Sequence, residues 1–381
     1  MIPQLYDRLK SKRDSYLRRA RVAAALTIPS LFPEEGQGSN DYYIPYQGTG
    51  ARGVKSLASK ILLALFPPNT PFFMMTVDEA VIGKEVPEAT KGQIEEGLRV
   101  IERMVSSRID QKAMRTEFFE ALKQLLVGGN VLLNVRKEKL RVFRLDSYVL
   151  QRDGDGRLMT LIVREVVEKS TLPKKIQVLL PTNTGDLTEE LTYVYTVVQR
   201  QPNGRYKVHQ EAEGNIIPGT QSDYRSETLP WIPLRMITVD GEDYGRSYVE
   251  EHIGDLSMLE NLSKALLEGS MAAARVLFLV KPNSTTKIKS LRDAVNGDFI
   301  NGNADDVIPL QLNKFADFRI AKEKVNDLEQ ALAAAFMMTQ SIQRDAERVT
   351  AEEIRVLTNE LEATLGGVYS LLAQELQLPL I

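Results

Sequence analysis

The stretch "SYVEEHIGDLSMLENLSKALLEGSMAAARVLFLV", residues 247–280, decides the fold. Val249, Ile253, Leu256, Leu259, Leu262 and Leu266 recur at helical spacing, and Ser247 with Glu250 forms a capping box where the pattern begins. Carried to Val280, such a helix is about 50 Å long, well beyond a usual globular helix. One apolar stripe on so long a rod reads as a strut.

Pro282 ends the pattern. Beyond it, the turn signals Asn296-Gly297 and Asn301-Gly302 bracket Phe299-Ile300 and precede a candidate strand at 307–312, so a small α/β module is carried between helices. A second helix at 319–338 places Ala321, Val325, Leu328, Leu332, Ala335 and Phe336 on one face, and Ala331, Ala333 and Ala334 let a neighbouring backbone approach closely. The charged connector "SIQRDAERV" follows at 341–349. Thr350 and Glu353 then cap a last helix whose stripe is Ile354, Leu357, Leu361, Leu365, Val368, Leu372 and Leu376; Gly366-Gly367 interrupts it and Pro379 ends it.

Upstream, residues 5–26 read as a helix with Leu5, Leu9, Leu17 and Val22 on one side. Its other face carries Arg8, Lys10, Lys12, Arg13, Arg18, Arg19 and Arg21: a solvated face, or a surface for an acidic or phosphate partner. An irregular connector rich in Pro, Gly and aromatics leads to helices at 54–65, 94–109 and 115–126, the last stopped by Gly128 and Gly129. From Asn130 the period becomes two, with strands at 130–137, 140–145, 148–153 and 158–167 and a turn at Asp153–Gly156. A further hairpin, 191–200 with 205–212, turns at Pro202-Asn203-Gly204, and 231–239 is an edge strand because it contains Pro233. The fold class is α+β, mainly α.

The chemistry is sparse. There are no cysteines and two histidines among 381 residues, which removes thiolate sites and most general bases. Lys plus Arg is 48 against 51 for Asp plus Glu, so no global charge draws the chain to nucleic acid or acidic lipid. No apolar run suffices to span a bilayer, the polar, basic N-terminus is no signal peptide, and no membrane partner is expected.

"GTGARG" at 48–53 fits a dinucleotide-binding turn, but Pro45 spoils the strand that should lead into it, and no ribose-binding acid follows in "LFPPNTPFF". It reads as a connector running into the helix at Val54. Asp153 and Asp155 resemble the first ligands of a calcium loop whose later ligands are missing, so they are turn chemistry. His209 and His252 stand alone, and neither a catalytic constellation nor a cofactor or metal is expected.

Four long motifs are far more specific than the glycine pattern: "GSNDYYIPYQGTGARGVKSLASKILLALFP" at 38–67, "FFEALKQLLVGGNVLL" at 118–133, "DGEDYGRSYVEE" at 240–251 and "QRDAERVTAEEIRVLTNELEATLGGVYSLLAQELQLPL" at 343–380. Together they closely resemble the portal, or head-to-tail connector, of short-tailed bacteriophages of the Autographiviridae type. The resemblance covers nearly the whole chain and weakens between residues 169 and 226.

That resemblance implies a portal fold assembled as a dodecameric ring at one capsid vertex, a channel through which double-stranded DNA is packaged, retained and ejected. Residues 1–246 look like the wing, 247–280 and 318–339 like the two stem helices, 281–317 like the clip, 340–349 like the tunnel loop and 350–381 like the long wing helix. Crown and barrel segments of the family, which follow that helix, are expected to be absent. The implied channel lining is Arg319, Lys322, Lys324, Gln343, Arg344, Asp345, Glu347 and Arg348. The implied docking surface for the terminase large subunit, and then for tail adaptor and tubular proteins, is Lys281, Lys287, Lys289, Arg292, Asp293, Asp305 and Asp306. Major capsid, scaffolding and internal core proteins are the other implied partners. A non-channel scaffold of long helices is the alternative, and a nucleotide-binding enzyme a remote third.

Overall fold

The computed structural model describes residues 2–34, 42–68, 71–76, 88–136, 139–177, 191–274, 277–282, 286–310, 315–338 and 351–380. The chain divides into two units, Met1–Gly254 with Leu332–Ile381, and Asp255–Ala331.

In the first unit, α1 (Ile2–Ala25) buries Tyr6, Leu9, Arg13, Leu17 and Ala20, one side of the helix at spacings of three and four. That side keeps the expected Leu9 and Leu17, with Leu5 packed beside the core, but Val22 is 54% exposed, and Arg13, expected on the basic face, is 1% exposed. The cause is a 3-10 turn, Leu145–Ser147, that presents its carbonyls to α1. Arg13 Nη1 donates to the Asp146 carbonyl at 2.7 Å, and Nη2 donates to the Asp14 carboxylate at 2.8 Å. Lys12 and Arg19 likewise pair with Asp243 and Glu250 at 3.7 and 3.1 Å, so part of the basic face is spent on the chain itself.

Helix α2 (Thr49–Leu65) begins five residues earlier than its apolar pattern suggests. Gln47 Oε1 accepts from Gly50 N at 2.8 Å and its Nε2 donates to the Leu26 carbonyl, which fixes the first turn. The "GTGARG" glycines therefore lie at and inside the start of a helix, and residues 42–48 contain no strand. After α3 (Glu88–Gln111), α4 (Met114–Gly128) packs on α2 through Phe118, Leu122 and Leu125 and closes at Gly129, whose φ of +71° favours glycine.

Two antiparallel sheets follow. β1 (Asn130–Val135) is flanked by β2 (Leu140–Phe143) and by β9 (Trp231–Arg235), so Pro233 stands on an edge strand, opposite Leu132. The larger sheet runs β3 (Tyr148–Arg152), β4 (Leu158–Glu168), β5 (Leu191–Arg200), β6 (Tyr206–Ala212), β7 (Asn215–Ile216), with β8 (Ser222–Tyr224) also on β6. Tyr6 and Leu9 of α1 close one core over Val149, Ile162, Tyr195 and Val197.

The second unit is built on α5 (Ile253–Ala273), preceded by a one-turn helix, Tyr248–Glu251, that Ser247 caps: its Oγ accepts from Glu250 N at 3.2 Å. The expected continuous helix to Val280 is wrong. α5 is about 32 Å long, and Leu277–Val280 is a strand, β10, paired with β11 (Val307–Leu310) from Leu277↔Leu310 to Val280↔Val307. "LFLV" has the aromatic and branched side chains of a strand, and its partner supplies the ladder that a helix would forgo. A short helix, Ile288–Asp293, lies between the strands, and α6 (Phe315–Ala335) follows.

Back in the first unit, α7 (Ala351–Leu365) packs on α2 with Leu357, Leu361 and Leu365 buried. Gly366 and Gly367, at φ +56° and +86°, break it. The chain resumes as Val368–Leu372, passes through a π-helical turn at Ala373–Gln377, and stays helical through Pro379, which was expected to end it.

Candidate nucleic-acid and docking surfaces

Along α6 the covered side is Phe318, Ala321, Val325 and Leu328, with the Phe318 ring lying on Gly269 of α5. Arg319, Lys322 and Lys324 are all exposed, and none is ion-paired among the described residues. Arg319 and Lys322, three positions apart, share one side; Lys324 lies roughly 140° round the helix from Arg319. The three basic residues therefore do not form one stripe. Glu323 and Asp327 are exposed among them, which keeps the local charge balanced.

Gln343, Arg344, Asp345, Glu347 and Arg348 lie outside the described residues. Sequence reasoning missed the apolar exposure on both long helices: Met258, Leu267 and Met271 on α5 and Ile320 on α6. An off-register apolar residue between the stripe positions was the available signal.

The module between β10 and β11 holds the other predicted residues. Lys281, Lys287 and Lys289 are exposed. Arg292 and Asp293 are adjacent, exposed and paired with each other at 2.9 Å, which leaves little net charge for a partner. Asp306 is a structural tie: its Oδ2 accepts from Thr286 Oγ1 at 3.2 Å, and its carbonyl accepts from Lys281 N at 3.1 Å. Thr286 Oγ1 also accepts from Asn303 N at 3.0 Å, and Asn303 caps the turn that holds Asp305. The same module exposes Ile288, Val295 and Phe299, the last entirely.

Other candidates resolve into structure. His252 packs between the rings of Tyr248 and Phe336, at 5.1 and 5.4 Å, and His209 lies in β6 opposite Val197. Asp153 Oδ1 accepts from the backbone of Asp155 and Arg157, as a turn aspartate does. Among the described residues no helix is long and apolar enough to cross a membrane, and no cluster of metal-ligating side chains occurs.

One unit carries a pair of long helices and a small strand-bearing module, and the other is a larger α+β body. Over residues 1–381 the chain matches the family of bacteriophage head to tail connecting proteins, and it belongs to that family. It is 42% identical to the portal protein of Escherichia phage T7 over 99% of this chain and 72% of the relative, and equally to that of Enterobacteria phage T3 over the same shares. Among solved structures it is similar to a chain titled "Neck of empty GTA particle computed with C6 symmetry", at 14% identity and a TM-score of 0.38, over 85% of this chain and 78% of that one. The chain's function is that of a phage portal, the connector at the junction of head and tail.

Proposed function

We propose that copies of this chain close into a ring, a dodecamer, around a bore for double-stranded DNA at one capsid vertex. The observation that carries this reading is the family match along the entire chain, both long helices included. In the ring, residues 1–246 and 350–381 form the wing, α5 and α6 the stem, the module from β10 to β11 the clip, and residues 340–349 the tunnel loop. A ring accounts for the apolar side chains that α5 and α6 leave exposed, because one repeated heterologous contact covers them in every copy.

A bore that moves DNA must touch phosphates without holding them. Each phosphate neutralised adds affinity through counterion release, so a ring of unbalanced cations would arrest the duplex. Arg319 and Lys322, with Arg344 and Arg348 of the tunnel loop, supply the phosphate contacts; Glu323, Asp345 and Glu347 offset them. No base reading is required of such a channel. The clip docks the terminase during packaging and the tail adaptor and tubular proteins afterwards, while ATP hydrolysis belongs to the terminase. The wing meets the major capsid, scaffolding and internal core proteins.

Negative-stain electron microscopy of the purified protein tests this directly. Annular particles with a central hole are expected; small elongated oligomers without a bore overturn the ring in favour of a helical scaffold. Replacing Arg344 and Arg348 with Glu should leave rings intact and reduce genome filling.

A further inference from the structure

A cavity of about 320 Å³ opens where the β3–β4 turn, the β5–β6 turn, β9 and the last helix meet. Arg152, Arg157 and Arg200 line it, against one carboxylate, Glu375. That carboxylate is already engaged: Oε1 accepts from Arg235 Nη2 at 2.8 Å, and Oε2 accepts from the Arg235 backbone N at 3.3 Å. The π-helical turn at Ala373–Gln377 carries Glu375, and such turns recur at functional sites.

The arginines are left with charge to spare. Arg152 donates from Nε, Nη1 and Nη2 to the carbonyls of Asp243, Gly156 and Pro233, at 3.2, 2.8 and 2.9 Å, and meets no carboxylate at ion-pair distance among the described residues. Of the roughly five N–H groups a guanidinium carries, some therefore remain to donate. Arg200 has no ion-pair partner among the described residues, and Arg157 leans only on the exposed Asp155, at 3.3 Å. Burial, and then the neighbouring Arg235, push the Arg152 pKa down to about 10, although Glu375 and Asp243 offset part of the shift.

Part of the remaining wall is apolar, with Leu229, Trp231 and Pro379 beside the arginines, and Tyr206 and Ser226 also line it. A duplex presents phosphates on a convex rod, and its apolar groups, such as the thymine methyl, lie within the grooves rather than at the phosphates. The volume falls in the ligand-pocket range of roughly 300–1,000 Å³, larger than a single inorganic anion needs. Arginine beside tryptophan in a concavity is the composition of a protein-binding hot spot.

We propose that this cavity docks an acidic peptide segment of another protein, with a carboxylate held by Arg152 and Arg200 and an adjacent apolar side chain packed on Trp231 and Pro379. The proposal does not depend on the ring. A bidentate guanidinium–carboxylate pair sets the orientation, and the apolar contact excludes water from it.

The test uses the full chain and an array of short fluorescent peptides in which paired Asp or Glu residues flank a Leu or Phe, with Asn/Gln counterparts as controls. Fluorescence anisotropy should show saturable binding of acidic members, at least tenfold tighter than their neutral counterparts and weakened by salt. Arg200→Ser should lose at least tenfold, and Arg200→Lys should recover part of it. Neutral and acidic peptides binding alike, no binding at all, or an unchanged Arg200→Ser variant each overturn the proposal. Inorganic phosphate or a duplex oligonucleotide competing at the same affinity overturns it in favour of a phosphate site. A shift in oligomeric state with unchanged peptide binding overturns it in favour of a contact between copies.

Discussion

Gly53 of α2 lies flat against the ring of Phe336: a Cβ at position 53 would stand 2.7 Å from the ring's Cγ. Phe336 is fully buried and meets Tyr248 edge-on, so α2, the one-turn helix and the end of α6 lock around one residue. Gly53→Ala gains about 1 kcal/mol of helix propensity but forces this contact apart, at a cost of about 1–3 kcal/mol. A lower thermal midpoint is expected in calorimetry, and a raised one contradicts the packing.

Ser247 serves two helices at once. Its Oγ accepts from Glu250 N and donates to the Leu126 carbonyl at 2.9 Å, in the last turn of α4. Ser247→Ala removes both bonds and leaves a buried carbonyl unpaired, so a loss of about 1–2 kcal/mol is expected in urea denaturation. No change in the midpoint would show that neither bond matters.

Tyr148 and Tyr244 are buried, and burial raises both phenol pKa values, Tyr148 strongly. The unfolded chain ionises them near pH 10 and the folded chain resists, so the stability they confer holds below about pH 10 and is lost as pH rises beyond it. Arg152, depressed to about 10, works in the opposite sense across the same window, because the folded chain sheds its proton first. Tyr148→Phe separates the two: its hydroxyl has no hydrogen-bond partner among the described residues, so neutral stability should move by less than about 1 kcal/mol while the alkaline loss becomes shallower. Superimposable stability–pH curves for variant and parent would refute this.

Arg319 and Lys322 share a side of α6, and Lys324 does not. Reversing the first two together to Glu should reduce the DNA retained per particle, with rings still seen by electron microscopy because in the proposed ring both residues face the bore rather than the neighbouring copy. Lys324→Glu alone should have the smaller effect. Equal effects from the two variants, measured as packaged DNA in nuclease-protection assays, would show that the bore is not on the Arg319 side.

Strands were legible in the sequence because alternation is a two-residue signal that needs no knowledge of the partner; β5 spans the expected 191–200. The end of α5 was not, because the apolar run before Pro282 suits a buried helix or a strand equally, and the choice is made by Val307–Leu310, far along the chain. The first helix was legible except at Val22 and Arg13: an Arg on the inner face looks like surface until the carbonyls of the Leu145–Ser147 turn are known. Charged site residues were placed by resemblance, and the structure gave one of them, Asp306, a local structural bond that spacing could not reveal.

Gly366 and Gly367 divide the last helix, and nothing among the described residues lies within 4 Å of where either Cβ would be. Beyond them the helix is moored: Tyr369 Oη donates to the Ala64 carbonyl, Gln377 Nε2 to the Leu65 carbonyl, and Glu375 holds Arg235. The glycine pair is thus an elbow held on both sides: Leu357, Leu361 and Leu365 seat α7 on α2, and the forearm beyond is tied to the end of α2 and to β9.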